Sequence, residues 1–224
     1  IYSDSATYQK NIQKILTEGN SKIIDVNKNI TIDAERFDYN KLLNIFNANG
    51  KVKIHDQNKN IIIYSDNATY LKNKNKIFTQ GNSKAIDVND NITITANDFD
   101  YDQDLNILNA YLNVEIKDPN QEFELNTEEI TYFKNEEKIF TKGITTGLLE
   151  NKYNFNSKNL FLDRNLMILS SKNKSNIIDN ASNYYELDEF KYNLNTELLK
   201  GKNVKIITNK NSETNSSDEY FFSD

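Results

Sequence analysis

A short repeat, with a period of thirty-one positions, constrains this chain more than any other feature of its sequence. Residues 1–28 and 63–90 share the pattern IYSDxATYxKNxxKIxTxGNSKxIDVN, and the two segments are offset by two periods. The match continues at the same offset, through NITIDAERFDYN and NITITANDFDYD. Similarity of this length indicates internal duplication, and repeated units bury their apolar surface against one another. The chain is therefore expected to be a stack of similar units.

Tyrosine and glycine mark the units. A tyrosine recurs once in every period, and in four of the five units a glycine follows it after eleven positions. The tyrosines are Tyr8, Tyr39, Tyr70, Tyr101 and Tyr132, and the glycines are Gly19, Gly50, Gly81 and Gly143. Beyond Gly143 the spacing is weaker, with Phe190 and Gly201 restoring it once. We predict a single array over residues 1–224, clear in 1–143 and degenerate in 144–224, and forming a segment of a longer chain.

Alternation of apolar and polar residues predicts β-strands within each unit. Ile30, Ile32 and Ala34 alternate with polar residues, as do Leu43 and Ile45 in the following segment. Such a period of two gives a strand one apolar and one wet face. Short polar segments between the strands, such as KNKNK after Leu71, predict turns. No window shows a sustained helical stripe, so the predicted class is all-β, with unpaired strand edges at the ends of the stack.

The charged and reactive residues do not indicate an active site. The net charge of −6 disfavours nucleic acid as a partner, because phosphate binding requires an excess of Lys and Arg. Cysteine is absent, and the single histidine, His55, has no HExxH spacing and is expected at the surface. The segment DYDQDLN from Asp100 resembles a calcium loop but lacks its glycine and final glutamate, so a solvated hairpin turn is favoured. We predict no catalytic residue, metal or cofactor.

The repeated tyrosines allow two interpretations. They either line a ligand groove or cap strand ends, packing on the next unit with the hydroxyl placed in solvent. The second interpretation is favoured because each tyrosine precedes a turn.

The unit resembles a known family in its motifs. Residues 34–54 read A-x-x-F-x-Y-N, a polar turn, and then L-x-I-x-x-A-x-G-x-V-x-I, which is similar to the OstA-like repeat. SDNATY followed by KIFTQG, within residues 65–81, is similar to it as well. That family comprises the lipopolysaccharide-transport proteins LptA and LptC and the periplasmic N-terminal domain of LptD. The resemblance implies an open β-jellyroll, a folded-over stack of antiparallel strands whose interior carries lipid acyl chains.

The resemblance also implies a site, partners and a location. The expected activity is a non-enzymatic lipid conduit in the periplasm of a Gram-negative bacterium, facing the outer membrane. Its cargo would be lipopolysaccharide, and its partners would be other jellyroll proteins joined by edge-strand pairing. The candidate groove residues are Ile30, Ile32, Leu43, Ile45, Ile61, Ile63, Ile92, Ile94, Leu105 and Ile107.

Alternatives remain within and outside this family. The length of the array, and ends that fall inside repeat units, favour the LptD domain, with an outer-membrane lipoprotein as a further partner, over LptA. In other classes, a β-solenoid adhesin or glycan-binding module also repeats on tens of residues, but six glycines are few for its turns. A polysaccharide-degrading β-helix is disfavoured, because no carboxylate cluster stands out from the repeat.

Overall fold

The protein is built from β-strands. The computed structural model describes residues 1–120, 122–208, 213–215 and 220–222. These residues form strands joined by turns, with three short 3₁₀ turns at Lys10–Ile12, Lys72–Lys74 and Lys134–Glu136. The predicted all-β class is confirmed. Within the described ranges, no helix has the length and apolar character needed to cross a membrane.

The chain divides into two compact units, unit 1 (Ile1–Leu112) and unit 2 (Asn113–Asp224). The strands of unit 1 are β1 (Ser5–Gln9), β2 (Lys14–Glu18), β3 (Ser21–Asp25), β4 (Ile30–Ala34), β5 (Arg36–Asn40), β6 (Ile45–Asp56), β7 (Ile61–Leu71), β8 (Lys76–Gln80), β9 (Ser83–Asp87), β10 (Thr93–Ala96), β11 (Asp98–Asp102) and β12 (Ile107–Asp118), in which the boundary falls. Those of unit 2 are β13 (Phe123–Phe133), β14 (Lys138–Lys142), β15 (Ile144–Leu149), β16 (Tyr153–Lys158), β17 (Phe161–Asp163), β18 (Ile168–Ser171), β19 (Ser175–Ile178), β20 (Tyr184–Leu187), β21 (Glu189–Asn193), β22 (Leu198–Lys202), β23 (Lys205–Ile207), β24 (Glu213–Asn215) and β25 (Tyr220–Phe222).

The strands of unit 1 form two facing antiparallel rows. Row A runs β1, β2, β5, the first part of β6, the last part of β7, β8, β11 and the start of β12. Row B runs β3, β4, the last part of β6, the first part of β7, β9 and β10. The long strands β6 and β7 therefore pass from one row to the other, which folds the sheet over itself.

Glycines form the corner at which unit 1 folds. In β6 the pairing with β7 shifts register between Asn49 and Val52, and Gly50 there has φ of 77°. This left-handed backbone suits glycine, and such a bulge bends the strand. The corner is closed by a backbone ladder: the Gly19 amide donates to the Glu35 carbonyl, and the Glu35 amide donates to the Gly50 carbonyl, both at 2.9 Å.

Unit 2 has the same two-row organisation. Its row A contains the last part of β13, then β14, β17, β18, β21, β22 and β25. Its row B contains the first part of β13, then β15, β16, β19, β20, β23 and β24. The region beyond residue 143, where the sequence pattern is weak, therefore keeps the two-row form over its described residues. The single array over 1–224 remains a prediction.

Candidate functional site

The space between the two rows of unit 1 holds most of its apolar side chains. Six of the predicted groove residues point into it from row B or from the residue beside β10, each at most 3% exposed. They are Ile30, Ile32, Ile61, Ile63, Ile92 and Ile94. Phe37 and Phe99 face them from row A, each 2% exposed. Burial of this many branched side chains is the main favourable contribution to holding the rows together.

The structure corrects the other four predicted groove residues. Leu43 and Leu105 lie in hairpin turns and are 59% and 60% exposed. Ile45 and Ile107 are half-buried on the outer face, as the first residues of β6 and β12. The inward positions are instead Phe46 and Ala48 in β6, and Leu108 and Ala110 in β12. Because side chains alternate with a period of two, aligning the pattern one residue off exchanges the two faces.

Near the corner, the interior is lined by hydroxyl groups. The Thr79 and Ser83 hydroxyls lie 2.6 Å apart, and the Ser65 hydroxyl lies 3.2 Å from that of Ser83. Thr79 also accepts the Phe99 amide at 2.9 Å, as Thr17 accepts the Phe37 amide at 2.8 Å. The sequence contained the signal for this feature, because Thr17 and Thr79 are separated by two periods of the repeat. These bonds satisfy polar groups that would otherwise be buried without partners.

At the opposite edge, where the hairpin turns lie, aspartates point inward. They are Asp25, Asp56 and Asp87 in unit 1 and, at the corresponding turn of unit 2, Asp118; they are spaced by one period of the repeat, and each is at most 5% exposed. One carboxylate oxygen caps the turn: Asp56 Oδ1 accepts the Lys59 amide at 3.1 Å, and Asp87 Oδ1 accepts the Asn89 amide at 3.2 Å. Aspartate is favoured in turns for this reason. Sequence reasoning missed these residues, although their period equals that of the tyrosines.

Tyrosines of row A in unit 1 reach the aspartates of row B. The Tyr70 hydroxyl donates to Asp25 Oδ2, and the Tyr101 hydroxyl donates to Asp56 Oδ2, both at 3.4 Å. Lys72 Nζ lies 3.1 Å from Asp25 Oδ2, and Gln103 Nε2 donates to Asp56 Oδ2 at 3.2 Å. We call these contacts the turn-edge pairs. At 3.4 Å the tyrosine bonds are long, so each contributes little to holding the rows closed.

The prediction that the repeated tyrosines place their hydroxyls in solvent is wrong for Tyr70 and Tyr101. Both side chains are at most 2% exposed. Burial, followed by the neighbouring aspartate, raises the pKa of each phenol well above its ordinary value. Each tyrosine lies one residue before the end of its strand, but the folding of the second row over the first brings an aspartate to its hydroxyl. The hydroxyl is therefore satisfied inside the protein.

Burial also raises the pKa of the Asp56 carboxyl above its ordinary value of 3.8, because the charged form loses hydration. Hydrogen bonds from the Lys59 amide, Gln103 and Tyr101 oppose this effect without cancelling it. Between that ordinary value and the raised pKa, the folded protein therefore holds a proton on Asp56 that the unfolded chain has already released.

The substitution Asp56→Asn is expected to remove one component of the pH dependence of stability. As pH rises from about 4, the unfolded pKa, to the raised folded pKa, the folded wild type binds more protons than the unfolded chain. Its unfolding free energy therefore falls across that window, and the protein carrying Asp56→Asn lacks this fall. Urea denaturation of both proteins at a series of pH values measures the difference. Parallel stability curves would contradict the assignment.

Unit 2 joins its two rows at the turn edge by other residues. The Arg164 guanidinium donates to the Asp118 carboxylate at 3.0 Å, and it also contacts the Glu137 carboxylate. The Tyr192 hydroxyl donates to Glu150 Oε1 at 2.8 Å. Burial raises the pKa of Glu150, with the Tyr192 bond opposing this shift. A carboxylate facing a donor from the other row is thus present in both units.

In unit 2 the space between the rows is filled by the protein's own side chains. An enclosed apolar cavity in unit 2, lined by residues including Leu149, Phe155 and Phe190, has a free volume of only about 10 Å³. This is about the space of one water molecule. A space of this size does not hold an acyl chain unless the two rows separate. The corner of unit 1 is joined by continuous backbone and backbone hydrogen bonds, whereas its turn edge is joined by side chains.

The DYDQDLN segment forms the hairpin turn between β11 and β12. Asp102 Oδ1 accepts the Leu105 amide at 2.9 Å, and its other oxygen lies 3.3 Å from Lys76 Nζ. Asp104 accepts from Asn75 at 2.9 Å, and this bond lowers its pKa. The carboxylates of Asp102 and Asp104 are thus used by local contacts, as in the favoured hairpin interpretation. His55, predicted at the surface, lies within β6 and is half-buried.

No family model matches the chain, and no curated protein matches it in sequence. Among solved structures, it is similar to LptH from Pseudomonas aeruginosa, described as the LptA homologous periplasmic component of the conserved lipopolysaccharide transport device. The sequence identity is 14% and the TM-score is 0.45, and the alignment covers 49% of this chain and 79% of that chain.

Proposed function

We propose that the protein is a non-enzymatic lipid conduit, whose two strand rows open at the turn edge to take acyl chains between them. One observation carries the proposal. In each unit an interior of apolar side chains is closed on one side by backbone and on the other by the side chains of the turn edge. In unit 1 the inward positions are chemically similar along the stack, as with Ile32 and Ile94, which are separated by two periods of the repeat.

The energetics suit transport rather than storage. Keeping an acyl chain of a dozen carbons out of water is worth about 10 kcal/mol, at roughly 0.8 kcal/mol per methylene group. Part of this energy is spent in separating the rows and exposing the packed isoleucines. Because successive positions are similar, a bound chain finds no position much better than the next. It is therefore able to move along the interior without being trapped.

The cargo and location rest on the resemblance of the repeat motifs to the OstA-like family. They make lipopolysaccharide the proposed cargo and the periplasm the proposed compartment. Unpaired strand edges are the proposed contacts with other jellyroll proteins. The finer proposal is that the chain is the periplasmic domain of an LptD protein facing the outer membrane, which would add an outer-membrane lipoprotein partner. Reading the gene on either side of this segment tests that choice, and LptA is the alternative.

Photo-cross-linking tests the conduit directly. We expect p-benzoylphenylalanine in place of Phe37 or Phe99 to capture lipopolysaccharide, because both aromatic side chains point between the rows of unit 1. Replacing one aromatic group by another limits the disturbance of the packed interior. The measurement is the yield of the cross-linked adduct after irradiation of purified protein with lipopolysaccharide.

The matched control is p-benzoylphenylalanine in place of Tyr64, an aromatic residue of row B in unit 1 that is 37% exposed. Higher yields at the two interior positions support the conduit. Equal yields at all three positions, or capture only at Tyr64, would overturn the proposal that acyl chains occupy the interior.

A further inference from the structure

The outer face of row A in unit 1 forms a concave trough with a volume of about 740 Å³. It crosses β6, β7, β8, β11 and β12, which at ordinary strand spacing is about 19 Å. Strand register arranges its outward side chains in two lines. One line pairs Asn47 with Thr69, Thr69 with Phe78, and Phe78 with Asp100.

The second line of the trough is equally polar. It pairs Asn49 with Asn67 and Asn67 with Gln80, and Asp98 with Tyr111. Several of these side chains are already held in place. Asn47 Oδ1 accepts the Thr69 hydroxyl at 2.9 Å, and Asp98 Oδ1 accepts the Gly81 amide at 3.3 Å. The surface therefore presents amide and carboxylate groups in fixed positions.

Two aromatic side chains accompany these polar groups. Phe78 and Tyr111 are each 37% exposed, so part of each ring is open to a ligand. The negatively polarised face of an aromatic ring attracts C–H groups, and a sugar ring presents several C–H groups on one face. Aromatic rings beside amides and carboxylates thus match the two kinds of surface on a sugar, its C–H face and its hydroxyl rim.

The charge of the residues that line the trough limits the class of ligand it can bind. The described residues that line the trough include two carboxylates, Asp98 and Asp100, and neither Lys nor Arg. Phosphate and sulfate groups would be repelled there, because nothing in the lining balances their charge. This surface consequently disfavours a nucleic acid, a phospholipid head group or a sulfated glycan.

Asp100 supplies an acceptor that the fold leaves unused. Its Oδ1 atom is buried and has no hydrogen-bond partner among the described residues. Leaving a carboxylate oxygen unpaired out of water costs free energy, unless a ligand donates to it. A sugar hydroxyl is such a donor once the Asp100 side chain rotates to bring this oxygen to the trough, where Asp100 lies beside Phe78 in the register.

We propose that this trough binds a neutral oligosaccharide, with sugar rings stacked on Phe78 and Tyr111 and hydroxyl groups donating to Asp100 and accepting from the flanking amides. The site lies on the outer face of the strands, away from the interior, so it does not depend on the lipid-conduit proposal. Its extent across five strands suits an oligosaccharide better than a single sugar.

Affinity electrophoresis and calorimetry with hexasaccharides of glucose and of N-acetylglucosamine test this site on the full chain. We expect saturable binding of at least one neutral probe, and at least about a tenfold loss of affinity in Phe78→Ala and in Tyr111→Ala. Asp100→Asn keeps the side-chain shape and is expected to weaken binding several-fold. Tyr64→Ala, which removes an equally exposed aromatic ring from the other row, is expected to bind as the wild type does.

A sulfated form of the bound probe should bind more weakly than the neutral form, because of Asp98 and Asp100. Failure of every neutral probe to bind at millimolar concentration would overturn the proposal. So would equal losses in Tyr64→Ala and Phe78→Ala, or tighter binding of the sulfated probe. None of these results bears on lipid capture at Phe99, so the two proposals fail separately.

Discussion

Linking the two strand rows at the turn edge is expected to abolish lipid entry into unit 1. The chain contains no cysteine, so the double substitution Asp25→Cys and Lys72→Cys introduces the only two thiols in the protein. The wild-type Lys72 Nζ and Asp25 Oδ2 atoms lie 3.1 Å apart across this edge. Bridging the thiols with a short bismaleimide keeps the rows closed, while the packed interior has no room for an acyl chain. We expect capture of lipopolysaccharide through p-benzoylphenylalanine in place of Phe99 to fall at least about tenfold.

A bridge at the corner is the matched control. Glu35 and Lys51 form an exposed ion pair there, with Lys51 Nζ 3.0 Å from Glu35 Oε1. Bridging Glu35→Cys and Lys51→Cys in the same way should leave lipid capture unchanged, because the corner stays closed while the turn edge opens. The same double variants without the bismaleimide give the baseline for each. Equal losses from both bridges, or none from either, would show that lipid does not enter through the turn edge.

A carboxylate placed in the interior is expected to have the largest effect on stability. Ile94 is 0% exposed, and Ile94→Asp places a charge or an unpaired polar group among apolar side chains. Such a group costs several kcal/mol, a large part of the stability of an ordinary domain. The milder Ile94→Ala should cost about 2–5 kcal/mol through lost burial and the cavity left behind. Urea denaturation followed by circular dichroism measures both effects.

Val88→Asp is the control, because Val88 is 51% exposed in the turn after β9. We expect it to change the unfolding free energy by no more than about 0.5 kcal/mol, as is usual for surface positions. If Ile94→Asp proved as stable as Val88→Asp, the interior would have to be wet. The rows would then stand open without lipid, and entry would need no opening of the turn edge.

Much of the local structure could be predicted from the sequence. Alternation of apolar and polar residues gave the strand at Ile30–Ala34, and the polar segment KNKNK gave the turn at Lys72–Lys74. Periodicity also identified six isoleucines that point inward. Local patterns suffice for these features, because a strand with one buried face requires alternation whatever it packs against.

The inward face of β6 could not be assigned from its own segment. Within Leu43–Ala48, apolar residues occupy both odd-numbered and even-numbered positions, so the pattern fits either face of the strand equally well. Pairing decides between them: Phe46 lies opposite Tyr39 and Tyr70, and this places Phe46 inside and Ile45 outside. Which face of a strand points inward depends on the strands that pair with it, so the sequence of one strand alone does not determine it.

The sequence by itself determined that the chain forms β-strands with one apolar side. Only the tertiary structure decided that this side is closed, that Tyr101 meets Asp56, and that Phe78 and Tyr111 share an outer trough. Tyr101 and Asp56 are 45 residues apart in the sequence and lie in different hairpins. Their contact exists because the chain bends at its corner glycines and lays one row over the other. Contacts made by such folding depend on the path of the whole chain, whereas alternation depends on each strand alone.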